Sequence, residues 1–246
     1  MKRRNFLAGL AAGFTAGCNE IGETAWFGKV SETAQGWHRG VHRALGVSRI
    51  QMAPEYARSQ ISPYFRGNGT TKVDDSAYRA SLADGFAGWR LRVSGMVDKP
   101  LELSLADIRA LPQRTQVTRH DCVEGWSAIG EWTGPQLGPL LDAAGVQQDA
   151  RFVVFRCADR LNGADYYESC DLDDAYHPQT IIAHALNGEP LPERNGAPLR
   201  MRIERQLGYK QAKYLTGIEV VASLDGFGDG NGGYWEDRGY QWYAGI

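Results

Sequence analysis

No Cys-x-x-Cys pair occurs in this 246-residue sequence, and its five histidines are not spaced as zinc ligands, so the four cysteines do not read as a zinc site. There is no basic run, no RNA-binding signature and no finger spacing. With a formal net charge of -2, nothing draws the chain as a whole to nucleic acid or to an anionic membrane. Internal repeats, low-complexity tracts and a clear interdomain linker are missing too, which leaves one domain, or one domain with a small appendage. The longest apolar stretch, near the N-terminus, holds about a dozen residues, too few to span a bilayer as a helix.

What is present is ordinary globular composition, 43% hydrophobic and 23% charged, with 30 glycines and 7 tryptophans. So many glycines imply many turns and close backbone approaches, which suits a loop-rich site around a large ligand. Residues 1–18 combine a basic head, Lys2-Arg3-Arg4, with a short apolar centre and a small-residue end, the pattern of a secretory signal. Arg3-Arg4 followed by Phe6-Leu7 resembles a twin-arginine signal, the route for proteins exported already folded around a cofactor. The plainer alternative is a Sec-type signal with two incidental arginines. Cys18 after Ala16-Gly17 reads either as a lipidation site that tethers the protein to a membrane face, or as part of a plain cleavage site. The expectation is an exported, periplasmic protein.

Residues 19–60 read as an irregular arm with one helix near 32–45, and residues 61–85, rich in Gly, Asn, Asp and Ser, as loop. Trp89-Arg90-Leu91-Arg92-Val93 alternates as a strand. Ser104 and Asp107 make a capping-box-like helix start, with Ile108 and Leu111 on one face and Pro112 as the stop. Gln116-Val117-Thr118 predicts a strand leading into His120-Asp121-Cys122. A second helix is predicted with Thr133 or Gly134 as its cap, Pro135 in its first turn and Gly145 as a left-handed stop. Phe152-Val153-Val154-Phe155 reads as a buried strand. Further strands are predicted at 181–186, 198–203 and 218–222, with turns at Asn187-Gly188 and Asn195-Gly196. The sum is an α+β fold of mixed β-sheets with short helices.

If Cys18 is lipidated or leaves with the signal, Cys122, Cys157 and Cys170 remain, an odd number for an oxidising compartment. One metal-binding thiol accounts for that; the other two then pair or stay as small buried apolar residues. The run Arg119-His120-Asp121-Cys122-Val123-Glu124-Gly125-Trp126-Ser127 resembles the metal-ligand segment of the sulfite-oxidase superfamily, and within it the branch of periplasmic methionine sulfoxide reductase catalytic subunits. Leu186-Asn187-Gly188-Glu189-Pro190-Leu191-Pro192, with Asn195-Gly196-Ala197-Pro198-Leu199-Arg200, is similar to that family's second signature. Leu207-Gly208-Tyr209-Lys210-Gln211-Ala212-Lys213, with Gly217-Ile218-Glu219-Val220, is similar to the third. Order and spacing agree over residues 60–222.

The resemblance implies a molybdopterin-binding catalytic domain of the sulfite-oxidase fold over residues 61–246. It implies a molybdenum–pyranopterin cofactor with Cys122 as thiolate ligand, since molybdenum suits soft sulfur from the pterin and the protein. Arg200 and Lys213 match positions that hold the cofactor's anionic end. Asn195 matches one that bonds the pterin, and Gln211 and Ala212 match backbone contacts. Cys157 falls where the relative carries a cofactor-contacting Thr, and Asn68 falls in the place of an early cofactor segment. Glu124 stands where the branch has a residue near the metal that relays protons. Trp126 stands near where sulfite oxidases place a substrate-holding Arg, which favours a neutral, larger substrate; Arg119 and His120 are alternative sources of positive charge.

The aromatic tail from Tyr234 to Tyr243 reads as a packed C-terminal arm, with a cover over the site or a partner surface as alternatives. The chain is expected to lack the dimerisation and fused haem domains of animal and plant sulfite oxidases. That implies an external electron partner, such as a membrane b-haem protein or a cytochrome c. The leading reading is a molybdenum oxidoreductase performing two-electron or oxygen-atom transfer on a small-molecule or protein-bound sulfur substrate of the sulfoxide kind. The second is a sulfite dehydrogenase feeding a cytochrome. The third is an exported binding protein that kept the fold without the metal; intact Cys122, Arg200 and Lys213 argue against it.

Overall fold

The computed structural model describes residues 51–246 and scattered positions from Trp26 to Val41. Two compact units emerge, residues 1–47 and 48–246. In the first, every described position is helical, overlapping the helix expected near 32–45. The signal and Cys18 lie outside the described residues. Among the described residues no helix is long and apolar enough to cross a membrane.

The second unit is built on three sheets. The largest has five strands, β1 (Arg90–Gly95), β2 (Leu101–Ser104), β5 (Phe152–Leu161), β6 (Ala164–Asp171) and β11 (Leu215–Val221), in the order β2-β1-β11-β5-β6. Only β1 and β11 pair in parallel. A second sheet orders β3 (Gln113–Cys122), β4 (Trp126–Pro135), β8 (Ala185–Leu186) and β9 (Glu189–Pro190), and β7 (Ile181–Ala183) pairs with β10 (Arg200–Arg202). In β1 the alternation holds: Leu91 and Val93 are buried while Arg90 and Arg92 face solvent. Val153, Val154 and Phe155 in β5 are fully buried, as their continuous apolar run implies.

Four short helices accompany the sheets: α1 (Ser76–Ala83), α2 (Leu105–Ala110), α3 (Leu137–Ala144) and α4 (Leu172–Ala175). The capping box starts α2 as its sequence predicts: Asp107 N donates to Ser104 Oγ at 3.1 Å, and Ser104 N to Asp107 Oδ2 at 2.9 Å. Two expectations are corrected. The segment read as loop contains α1, capped by Asp75, whose carboxylate accepts from Tyr78 N at 2.8 Å. Its polar composition concealed one anchor, Tyr78, which is buried and donates its hydroxyl to Ala197 O at 2.9 Å. The start of α3 is also later than predicted, because β4 runs on through Thr133 and Gly134 to Pro135, and Gln136 takes the cap position. Gly145 ends α3 with φ of 73°, as expected.

Gly134 serves the sheet rather than the helix. A Cβ there would lie 2.1 Å from Ile182 O, so β4 and β7 approach too closely for a side chain. Replacing Gly134 by Ala should therefore lower stability by ~1–3 kcal/mol through overpacking against backbone. Urea unfolding followed by circular dichroism checks this; an unchanged midpoint would show that the two strands separate freely.

Candidate active site

The pairing of β3 with β4 runs from Gln113↔Pro135 to Cys122↔Trp126, which makes Cys122 the last rung before a hairpin turn. The turn closes on Gly125, whose N–H donates to Cys122 O at 3.0 Å and whose φ of 85° suits glycine. The Cys122 thiol is free and half-buried. Burial raises its pKa, and the Glu124 carboxylate adds to the rise; a metal cation at the sulfur would reverse it. Glu124 ties the turn to the loop 68–70: Gly69 N donates to its Oε1 at 3.0 Å and Trp126 Nε1 to its Oε2 at 2.9 Å. Burial pushes this carboxyl up, but those two hydrogen bonds and the charges of Lys213 and Arg66 outweigh it and leave the pKa lowered. Glu124 is thus ionised at neutral pH.

Behind the hairpin, His120 is fully buried and stacks on Trp126 with ring centroids 5.3 Å apart. Arg202 donates to its Nδ1 at 2.9 Å. Burial, then the charges of Arg202 and Arg200, hold its pKa well below the ordinary histidine value, so the ring is neutral. Arg119 is paired with Asp121 at 2.8 Å. Neither residue supplies the free positive charge that the sequence allowed. Gly208 is explained by the same ring: a Cβ there would lie 2.5 Å from His120 Nε2.

Four cations are buried around this point: Arg200, Arg202, Lys210 and Lys213. Arg202 pairs with Glu204 at 2.5 Å and lies 4.3 Å over the Trp132 ring. Lys210 pairs with Glu168 at 2.7 Å and with Glu236. Arg200 and Lys213 have only carbonyls. Arg200 donates to Asn195 O at 3.0 Å and Gln211 O at 3.3 Å, and its Nε has no partner. Lys213 donates to the carbonyls of Asn68 at 2.6 Å, Arg194 at 3.2 Å and Thr70. Burial first, then Arg200, pulls the Lys213 pKa down to about 7. Burial and Arg202 lower that of Arg200 to about 9.

A cavity of about 270 Å³ opens beside these groups. Its lining includes Cys122, Glu124, Asn68, Gln211 and Lys213 together with Asp159, Tyr166, Tyr209, Trp235 and Tyr240. Asn68 Oδ1 and Arg200 Nε are buried without a hydrogen-bond partner. Each such atom costs ~1–3 kcal/mol unless a ligand completes it. Orphaned polar atoms, two buried cations in no ion pair and an accessible thiol fit a polar-edged, anionic ligand that carries a soft metal. Among the described residues no group of three His, Cys, Asp or Glu is placed to hold a metal ion. A metal at Cys122 would therefore take its other ligands from a cofactor.

Five of the sequence-predicted site residues thus share one cavity. Arg200, Asn195 and Ala212 stand behind its lining: Asn195 O accepts from Arg200, Ala212 O accepts from Met201 N at 2.8 Å, and Asn195 Nδ2 donates to Arg66 O at 3.4 Å. Cys157 is also set back, its thiol directed to Phe155 O at 3.9 Å. Cys157 and Cys170 are both free thiols, which answers the pairing left open by the sequence. Asp159, Tyr166, Tyr209, Trp235 and Tyr240 were missed. Asp159 lies within a register irregularity of β5 between Arg156 and Arg160, a feature visible only once pairing is known. The tail offered only its density of aromatic residues.

Burial raises the Asp159 carboxyl to about 6, against opposing contributions from Thr70 and Lys213. The folded protein then holds a proton that the unfolded chain has already released, so this group's contribution to stability falls as pH rises from 3.8 to about 6. Asp159→Asn removes that dependence. Unfolding free energies at pH 4 and pH 7 should show the wild type losing more stability than the variant across this window, and equal losses would contradict the burial penalty.

The family model for the oxidoreductase molybdopterin binding domain matches residues 79–225. A putative protein-methionine-sulfoxide reductase subunit YedZ1 of Azospira oryzae is 43% identical over 195 residues, covering 79% of this chain and 68% of its own. The protein-methionine-sulfoxide reductase catalytic subunit MsrP of Xanthomonas campestris pv. campestris is 35% identical over 195 residues, covering 74% of this chain and 60% of its own. The chain thus spans about two thirds or less of the length of these relatives. Among solved structures, the sulfane dehydrogenase SoxCD of Paracoccus pantotrophus superposes with a TM-score of 0.51 at 21% identity, over 56% of this chain and 39% of that one. The chain belongs to the molybdopterin-binding oxidoreductases, with the sulfite-oxidase fold and a molybdenum–molybdopterin cofactor.

Proposed function

We propose that this chain is the catalytic part of an exported molybdenum enzyme that reduces a sulfoxide to a thioether. The observation that carries the reading is the cavity itself: a thiol, an ionised carboxylate and the buried Lys213 line one space, with the buried Arg200 set behind it and neither cation in an ion pair. Arg200 and Lys213 would hold the cofactor's phosphate, with Asn68 and Gln211 completing its polar edge and Cys122 ligating the metal. Asn195 and Ala212 brace this cradle from behind. The bound centre supplies a two-electron change of oxidation state coupled to oxygen-atom transfer.

The overall change is sulfoxide plus two electrons and two protons to thioether plus water. The electrons come from an external redox partner, a haem protein of the membrane b type or a soluble cytochrome. Glu124 lines the cavity and is exposed to solvent, so its ionised carboxylate would take up each proton from water and pass it on to the departing oxygen. The relatives named as methionine-sulfoxide reductase subunits support the sulfoxide over other oxygen donors. Charge supports it too: the anion of sulfite would meet the Glu124 carboxylate, whereas a neutral sulfoxide would not. The double-arginine head supports export of the loaded protein to the periplasm, with Cys18 as a candidate membrane tether.

Three measurements test this. The full chain, expressed with its N-terminal segment, should contain equimolar molybdenum, and Cys122→Ala should lose both metal and activity. Parallel assays should show sulfoxide reduction and no sulfite oxidation; the reverse outcome replaces the reading with sulfite dehydrogenation. Glu124→Gln should retain molybdenum while kcat falls by ~100-fold or more.

A further inference from the structure

The family domain ends at residue 225, yet two side chains of the cavity, Trp235 and Tyr240, come from beyond it. The tail that carries them is fixed to the cofactor cradle. Glu236, next to Trp235, pairs with Lys210, which also pairs with Glu168, and all three side chains are buried. Lys210 stands three residues before Lys213 in the same loop. Tyr234 N donates to Tyr167 O at 2.9 Å, its hydroxyl to Leu161 O at 3.0 Å, and Tyr209 Oη to Gln241 O at 2.6 Å. Gly233 gives the Glu236 carboxylate its room: a Cβ there would lie 2.1 Å from Glu236 Oε2.

The rings form a continuous surface. Tyr209 meets Tyr240 at 5.2 Å, Tyr240 meets Trp235 at 5.2 Å, and Trp235 meets Tyr234 at 5.3 Å between centroids. Tyr240 is 40% exposed, and Val123, beside Cys122 and lining the same cavity, is 46% exposed. The contacts are edge-to-face at Tyr209–Tyr240 and Tyr234–Trp235 and tilted at Trp235–Tyr240, so the rings brace one another beside a cavity that Trp235 and Tyr240 line together with the thiol. Partly exposed aromatic faces are well suited to the methyl and methylene groups of a thioether, and to its sulfur.

We propose that Trp235 and Tyr240, supplied by the segment beyond the family domain, are the specificity-determining wall of the substrate site and pack against the apolar arms of the sulfoxide. This rests on the reading of the chain as a sulfoxide reductase. The Glu168–Lys210–Glu236 cluster positions the wall and touches no substrate.

The test compares holoenzyme of the wild type, Trp235→Ala and Tyr240→Ala on two substrates, methyl phenyl sulfoxide and dimethyl sulfoxide. The ratio of their kcat/KM values should fall about tenfold in each variant, carried by KM for the larger substrate. Because both substrates are read on one preparation, partial loss of molybdenum cancels. Where an Ala variant yields no holoenzyme, Trp235→Leu and Tyr240→Leu keep the tail packed and should lower the same ratio, with Trp235→Phe restoring most of it. A ratio equal to the wild type's, with both substrates slowed alike or not at all, overturns the wall while leaving the reductase reading intact. A wild type that reduces neither sulfoxide overturns both.

Discussion

Holding Arg200 and Lys213 in the interior without a carboxylate is the constraint around which this site is arranged. An unpaired buried ion costs several kcal/mol even after relaxation, and the hydrogen bonds of these two go to carbonyl oxygens, with no ion pair. The neighbourhood is built so as not to add to the cost. His120 is kept neutral rather than becoming another cation. Arg202 has Glu204, and both arginines lie over the Trp132 ring, at 4.9 and 4.3 Å, where the π face offsets part of their charge. In a molybdopterin-binding chain the cofactor's phosphate is the natural missing anion. Binding it then stabilises the fold as well as equipping the site.

Close backbone approach is the second requirement, and glycine meets it at two points. Gly208 lets the cradle loop pass against the His120 ring. Gly196, at φ of 104°, sits where a Cβ would come within 2.9 Å of Lys213 Cβ and 3.2 Å of Arg200 Cβ. Gly196 thus lets the chain pass close to the side-chain bases of both cations. Hairpin geometry does the same for the thiol: ten rungs of β3–β4 pairing deliver Cys122 to the turn. The charged cradle and the sulfur are positioned by different sheets, and the cavity is the gap between their ends.

Much of this was legible because it is local. The capping box of α2, the alternation in β1, the Gly145 stop and the ordered motifs around Cys122, Arg200 and Lys213 each depend on a few adjacent residues. What was illegible depends on partners distant in sequence. Thr133-Gly134-Pro135 has the chemistry of a helix start, and only the pairing to β3 and the contact with Ile182 turn it into strand. The polar segment before β1 hid a helix whose anchor, Tyr78, reaches a carbonyl 119 positions away. Trp235 and Tyr240 looked like packing, and they do pack, but the buried Lys210–Glu236 pair places that packing on the cavity wall.

Trp126 shows how one side chain fixes the charge that a substrate meets. Its indole N–H holds Glu124, its ring covers the neutral His120, and the Arg66 guanidinium lies 5.8 Å over that ring. An arginine in its place would confront Arg66 and would neutralise Glu124 by pairing with it. As built, both hydrogen bonds to the carboxylate come from uncharged donors, Gly69 N and Trp126 Nε1. Glu124 therefore stays ionised without forming an ion pair, and an acceptor of protons stands beside the thiol where an anion-binding fork would otherwise be. That arrangement places a negative charge rather than an anion-binding fork beside the thiol, on a carboxylate that is exposed to solvent and can exchange protons with water at the cavity.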